Sequence, residues 1–270
     1  MTLTQTIVAP WGIWQSVDYR LTDPRTGGTF EKWSHKSVSV RCGDGGALIT
    51  YAGTGRFDFN PDSPDISEWI ANELHGHSGT VDQAVRRIEQ VSSSLLKFRT
   101  HHTFTIGAIT QGQIWALIIA NTHPDIDWTK HPPGNAFKLY GMQVIDEPII
   151  MVRGEARAIS EPDWVLLETV AKRRPRRSRD FLALLAGVNK RASQNRRYGH
   201  VISEECTVSF MPPNVDGGFA RTFPEDREIP WSMLGVPQVM FGLDFTQMAR
   251  DGIRQLEEEV AKNKERAGKT

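Results

Sequence analysis

Only two cysteines, Cys42 and Cys206, occur in 270 residues. Their separation offers neither a zinc-ligand spacing nor a disulfide framework, so both are expected to be reduced, partly buried fillers. No apolar run approaches the roughly 20 residues that span a bilayer, and no basic stretch leads into an apolar core at the N-terminus. The chain therefore reads as a soluble, cytoplasmic protein with no membrane partner. An excess of either charge is missing too, since 32 Lys and Arg balance 32 Asp and Glu. That balance excludes a global field drawing the protein to nucleic acid, so any such partner needs a local patch. Internal repeats and long low-complexity segments are also absent.

A chain of this length buries roughly three quarters of its unfolded surface, enough for one large domain with an appendage. Two short strands are expected from Leu3 to Val17 around the Pro10-Trp11-Gly12 break. A second hairpin runs from Lys36 through Gly43-Asp44-Gly45-Gly46 to Ala52. Helices follow: one starts at Pro64-Asp65 with Ile66, Trp69, Ile70 and Leu74 at helical spacing, and another opens on a Thr80/Gln83 capping box. Strand character returns over 103–109, 114–120, 137–144 and 149–152. Two further helices come after Ser160 and after the basic run 172–177, and a last strand spans Cys206 to Met211. That order predicts an α+β fold, a four-layer αββα sandwich of two stacked antiparallel sheets flanked by helices. Residues 1–215 form the expected domain. Residues 216–270 form an extension whose amphipathic stretch, with Met248, Ile253, Leu256 and Val260, docks on the body or on another subunit.

Chemistry concentrates at the N-terminus. Removal of Met1 would leave Thr2 with a hydroxyl nucleophile beside a free α-amine, whose pKa of about 7.7 to 8.0 suits it to take the hydroxyl proton near neutral pH. The segment Thr2 to Thr22, with Gly12, Asp18, Arg20 and Thr22 at their intervals, together with Lys36 and Tyr51-Ala52-Gly53, resembles the start of proteasome β-type subunits, members of the N-terminal nucleophile hydrolases. The resemblance implies that Thr2 is the catalytic threonine, Lys36 the catalytic lysine and Asp18 the acid that orients it. It further implies that Gly53 lends a backbone N–H to the oxyanion, and that Thr22, with Gly55, meets an extended peptide or amide substrate. Self-assembly as a homo-oligomer is implied as well; no cofactor or metal is.

Physical chemistry supports these roles independently. A cationic Lys36 would lower the pKa values of the Thr2 hydroxyl and amine, and Asp18 would keep the lysine charged. Lys36 shares a strand face with Val38 and Val40, an unusual place for a charge without a partner. Other readings stay open: Asp18 as a turn or ion-pair residue, Lys32 in place of Lys36, and Gly53 and Gly55 as ordinary loop glycines.

Departures from the family pattern favour a second class, a non-catalytic assembly or binding protein. Active relatives carry a Gly-Ser-Gly-like turn where Arg153-Gly154-Glu155-Ala156 stands here, and an Asp-x-x-Ser-Gly-Gly-like stretch to which residues 189–193 are the nearest approach. The pairs His75/His77 and His101/His102, and His123, read as solvent-facing loop residues, not metal ligands. The run Lys172-Arg173-Arg174-Pro175-Arg176-Arg177 is the one local basic patch. It lacks interleaved aromatics, so a solvated linker is favoured over a nucleic-acid site.

Overall fold

The computed structural model describes residues 2–22, 28–31, 33–56, 64–174, 178–225 and 236–267. Along the chain, β1 (Leu3–Ala9) and β2 (Gly12–Asp18) form a hairpin, β3 (Leu21–Thr22) pairs with β4 (Thr29–Glu31), and β5 (Ser37–Cys42) turns into β6 (Gly45–Ala52). Helices α1 (Ile66–Glu73) and α2 (Val81–Val91) precede β7 (Thr103–Thr110), β8 (Gln113–Ala120), β9 (Lys138–Val144) and β10 (Ile149–Gly154). Then come α3 (Glu161–Ala171), α4 (Ser178–Ser193), β11 (Cys206–Met211), β12 (Phe219–Phe223), β13 (Gln238–Met240), β14 (Leu243–Asp244) and α5 (Phe245–Ala267).

Two large sheets result, ordered β10-β1-β2-β11-β12 and β14-β13-β5-β6-β7-β8-β9. Every adjacent pair is antiparallel except β13 with β5, which is parallel. The expected four-layer αββα arrangement is the one observed. Helices α1 and α2 cover one sheet through Ile66, Trp69, Ile70, Val81, Val85 and Ile88, packed on Val38, Ile49, Tyr51 and Phe104. Helices α3 and α4 cover the other through Leu167, Phe181, Leu182 and Leu185, packed on Leu3, Ile7, Trp14 and Val208. A third cluster, with Val8, Ile13, Leu48, Ile109 and Met211, lies between the sheets. Strand alternation makes these three layers from one sequence, because successive side chains of β1, β2, β6 and β7 point to opposite faces and both faces are covered.

Local signals set the helix starts. Asp65 caps α1 and Thr80 caps α2, each in a reciprocal capping box with Glu68 or Gln83. The Asp65 carboxylate also accepts the His35 backbone N–H at 3.2 Å, which ties the start of α1 to the residue before Lys36.

Among the described residues beyond 215, segments contribute to both sheets. β12 extends one sheet beside β11, while β13 lies beside β5. These strands escape a period-two reading because they are short and set among prolines and glycines. Helix α5 is tied to the body at its start, where Arg250 pairs with Glu68 and the Thr246 hydroxyl accepts the Gln238 N–H at 2.8 Å. Met248, Leu256 and Val260 stay exposed. Among the described residues, no helix is long and apolar enough to cross a membrane.

Candidate active site

Antiparallel register brings the end of β2 beside the start of β1, since Thr4 pairs with Val17. Thr2 and Asp18 therefore meet at one end of the sheet. Lys36 arrives from the second sheet, one residue before β5, with its carbonyl held by the Tyr51 N–H at 2.9 Å. Its Nζ donates to Thr2 Oγ1 at 2.7 Å, to Asp18 Oδ1 at 3.3 Å and to the Arg20 carbonyl at 2.6 Å. Thr2 Oγ1 in turn donates to Asp18 Oδ1. All three side chains are buried, Thr2 at 2%, Asp18 at 0% and Lys36 at 2% exposure. Lys32 and Met1 lie outside the described residues.

Burial pushes the Lys36 ammonium below its ordinary pKa, and the charge of Asp18 opposes that push. The three acceptors around Nζ match the three N–H bonds of an ammonium, so the geometry favours the charged form. Asp18 is held just as fully. Its Oδ1 accepts the Leu3 N–H at 2.8 Å, and its Oδ2 accepts the N–H groups of Arg20 at 3.1 Å and Ser203 at 3.2 Å. A hydroxyl fixed between an ammonium and a carboxylate can be both oriented and polarised for attack on a carbonyl.

The remaining expected residues are placed in different ways. Gly53 follows Ala52 at the end of β6, and the Ala52 Cβ lies 3.5 Å from where a side chain on Gly154 would begin. Gly53 needs its missing side chain for space, since a Cβ there would meet Tyr51 Cζ at 2.6 Å and His102 Nδ1 at 2.8 Å. Gly55 packs in the same way against Leu21. Thr22 forms β3, and its hydroxyl donates to the Val201 carbonyl at 3.4 Å.

Further residues hold the site together, and of these Ser203 carries no sequence signal. Ser203 donates its N–H to Asp18, accepts the Tyr19 N–H at 3.0 Å and donates its hydroxyl to the Glu205 carbonyl at 2.6 Å. Residues 189–193, the nearest sequence approach to a serine-bearing stretch, are instead inside α4, where Asn189 supports this loop by donating to the Ser203 and Glu204 carbonyls. The turn after β10 clamps the backbone of Thr2. The Glu155 N–H donates to the Thr2 carbonyl at 2.8 Å, and Gly154, at φ +76°, passes so close that any Cβ would collide with that oxygen. The Glu155 carboxylate is buried and forked onto Arg157 at 2.7 and 2.9 Å. Nothing in the local sequence marks Ser203, because its role depends on a partner 185 residues away.

Histidine placement corrects one expectation. His102 is not solvent-facing but fully buried, with Nδ1 2.5 Å from Tyr51 Oη and Nε2 3.1 Å from Thr100 Oγ1. Burial lowers its pKa to about 4. Among the described residues, no group of three or more His, Cys, Asp or Glu side chains is arranged to hold a metal ion. Cys42 and Cys206 are unpaired and buried, and burial raises their thiols to about 11 and about 12. Of the basic run, residues 172–174 are exposed, and 175–177 lie outside the described residues.

No family model matches the sequence, and no curated protein matches it. Solved structures do share its fold. A Gly-1 mutant of Anbu from Hyphomicrobium sp. strain MC1 aligns with a TM-score of 0.54 at 12% identity, covering 96% of this chain and 97% of that one. Anbu from the same strain gives 0.53 at 12% identity, over 94% and 97%. Anbu (ancestral beta-subunit) from Yersinia bercovieri gives 0.48 at 11% identity, over 96% and 95%, a likeness too loose to carry an argument. At such identities the likeness is one of fold.

Proposed function

We propose that the protein is an N-terminal threonine amidohydrolase, a proteasome-like peptidase that works through an acyl-enzyme ester. The observation carrying this reading is the 2.7 Å bond from Lys36 Nζ to Thr2 Oγ1 inside a buried cluster with Asp18. Removal of Met1 would free the Thr2 amine as general base. Thr2 Oγ1 then bonds to the amide carbonyl carbon while the amine takes its proton. The carbon–nitrogen bond breaks as that proton passes to the leaving nitrogen, and water cleaves the ester with the amine again as base. In this reading Lys36 stabilises the oxyanionic form of Thr2, Asp18 fixes Lys36, and the Gly53 N–H serves the oxyanion, a contribution of about 3 kcal/mol for one such donor. Thr22 and Gly55 are assigned to the substrate backbone. The fold shared with Anbu structures supports a proteasome-like architecture; in this reading 1–215 form the catalytic unit, and 216–270 are an extension whose β12 and β13 join its two sheets. The exposed Met248, Leu256 and Val260 on α5 support a homo-oligomer. The two unpaired cysteines support a reducing, cytoplasmic setting.

A specific observation favours a second reading, that of a catalytically inactive assembly or binding protein. Thr2 is 2% exposed, and the turn beside it offers Glu155, already committed to Arg157, where a serine is expected of active relatives. One experiment separates the two. Intact mass of the natively made protein should lack Met1, and a threonine-directed electrophile should label wild type but not Thr2→Ala. A retained Met1, or equal labelling of both, rules out the hydrolase.

A further inference from the structure

Side-chain parity divides the layer between the two sheets into unlike halves. The half far from Thr2 is apolar, filled by Val8, Ile13, Leu48, Ile109 and Met211. The half beginning at Thr2 holds a polar row, flanked by Met151 opposite Thr6, Ile118 opposite Thr105 and Val17 opposite Thr4. In β1, Thr4 and Thr6 share the face of Thr2 by alternation. Thr6 pairs with Gln15, whose Nε2 crosses the gap to donate to the Leu48 carbonyl at 2.9 Å and the Thr105 carbonyl at 3.2 Å. On the facing sheet, Ser37, Thr50 and Thr105 form one cross-strand row. That row is on the inward face, since a Cβ on Gly107, two residues beyond Thr105, would run into Ile13.

Five oxygens in this half meet no hydrogen-bond partner among the described residues: Thr4 Oγ1, Thr6 Oγ1, Gln15 Oε1, Ser37 Oγ and Thr105 Oγ1. Their residues are at most 2% exposed. One buried oxygen without a partner is costly, and five in one layer would cancel a large share of a domain's net stability. Packed sheets stand about 10 Å apart, a gap that facing Ile and Leu side chains fill and shorter Ser and Thr side chains do not.

We propose that the polar row in the inter-sheet layer is a binding site for a line of ordered water molecules, running from Gln15 and Thr105 to the back of Thr2. Water fits because it both donates and accepts. It can donate to Gln15 Oε1, which accepts only, and exchange either role with the four hydroxyls, each molecule bridging two to four polar groups. At its end the line meets Thr2 Oγ1, which already donates to Asp18 and accepts from Lys36 and has one lone pair left. The inference does not rest on turnover; the same site exists whether or not Thr2 attacks a substrate.

Isosteric variants of the full chain test it. Thr6→Val and Thr105→Val keep the side-chain shape and delete one hydroxyl each. With a hydrated seam, each lowers Tm by about 2 to 4 °C, because a bridging water loses a partner. A wild-type crystal structure at about 1.5 Å then shows water within about 3.2 Å of most of the five oxygens. With a dry seam the same variants leave Tm unchanged or raise it, and the crystal structure shows the oxygens paired with protein groups. Either of those results overturns the proposal. Should a variant fail to fold, the wild-type crystal structure decides alone.

Discussion

Lys36 reaches from one sheet to Asp18 on the other, with Nζ 3.3 Å from Oδ1 and both side chains buried. The pair is asymmetric in its support. Asp18 also accepts backbone N–H groups from Leu3, Arg20 and Ser203, whereas Lys36 has no second counter-charge within salt-bridge distance among the described residues.

That asymmetry predicts an order of stabilities. Asp18→Asn leaves a buried ammonium uncompensated and turns an amide donor toward N–H groups, at a cost of about 3 to 5 kcal/mol. Lys36→Met leaves a carboxylate still held by three N–H donors, and should cost less by at least about 1 kcal/mol. Urea denaturation of the two variants measures this, and the reverse order would remove the argument.

Gly154→Ala should disturb Thr2 itself. At φ +76° an alanine is strained by about 1 to 2 kcal/mol, and its Cβ also collides with the Thr2 carbonyl. Gly112→Ala is the control, because Gly112 has φ +74° and open space around it. The expected result is a larger stability loss for Gly154→Ala, together with loss of threonine-directed labelling that Gly112→Ala does not share. Equal losses and unchanged labelling would show that the turn does not position Thr2.

His102 should make stability depend on pH. Its folded pKa is about 4 against an ordinary 6.5, so between those values the unfolded chain binds a proton that the folded state refuses. Stability therefore falls as pH drops from 6.5 to 4 and levels off below, with a total of about 3 kcal/mol. Urea midpoints at several pH values across that window should fall steeply in wild type and less in His102→Gln. Parallel curves would remove His102 from the account.

Helix α5 carries the prediction on assembly. Leu256 and Val260 are exposed on it, and in an oligomer built on this face Leu256→Glu with Val260→Glu should lower the sedimentation coefficient without changing circular dichroism. A monomeric wild type would remove the homo-oligomer from the proposed function, and an unchanged oligomer would move the interface elsewhere.

Much of the fold was legible because its signals are local. Alternation in β5, the glycine-rich turn into β6, the Thr80/Gln83 capping box and the apolar stripe of α2 all depend on residues within a few positions of one another. β12 and β13 were not legible, since each is held in place by a strand remote in sequence, β13 by β5 about 200 residues away. The candidate site divides likewise. Thr2, Asp18 and Lys36 carry chemistry that their residue types announce, but Ser203 and the Gly154–Glu155 turn act through backbone groups that any residue type offers.

By itself the sequence determined the order of the main strands and helices up to β11, the two-faced strands and the presence of a hydroxyl, a carboxylate and an ammonium within the first 36 residues. Only the tertiary structure decided that these three converge in a buried cluster, that His102 lies in the core and that a row of polar side chains runs through part of the inter-sheet layer. Side-chain parity is a property of one strand. Which faces meet depends on how two sheets stack, and that is settled by contacts between residues far apart in the chain.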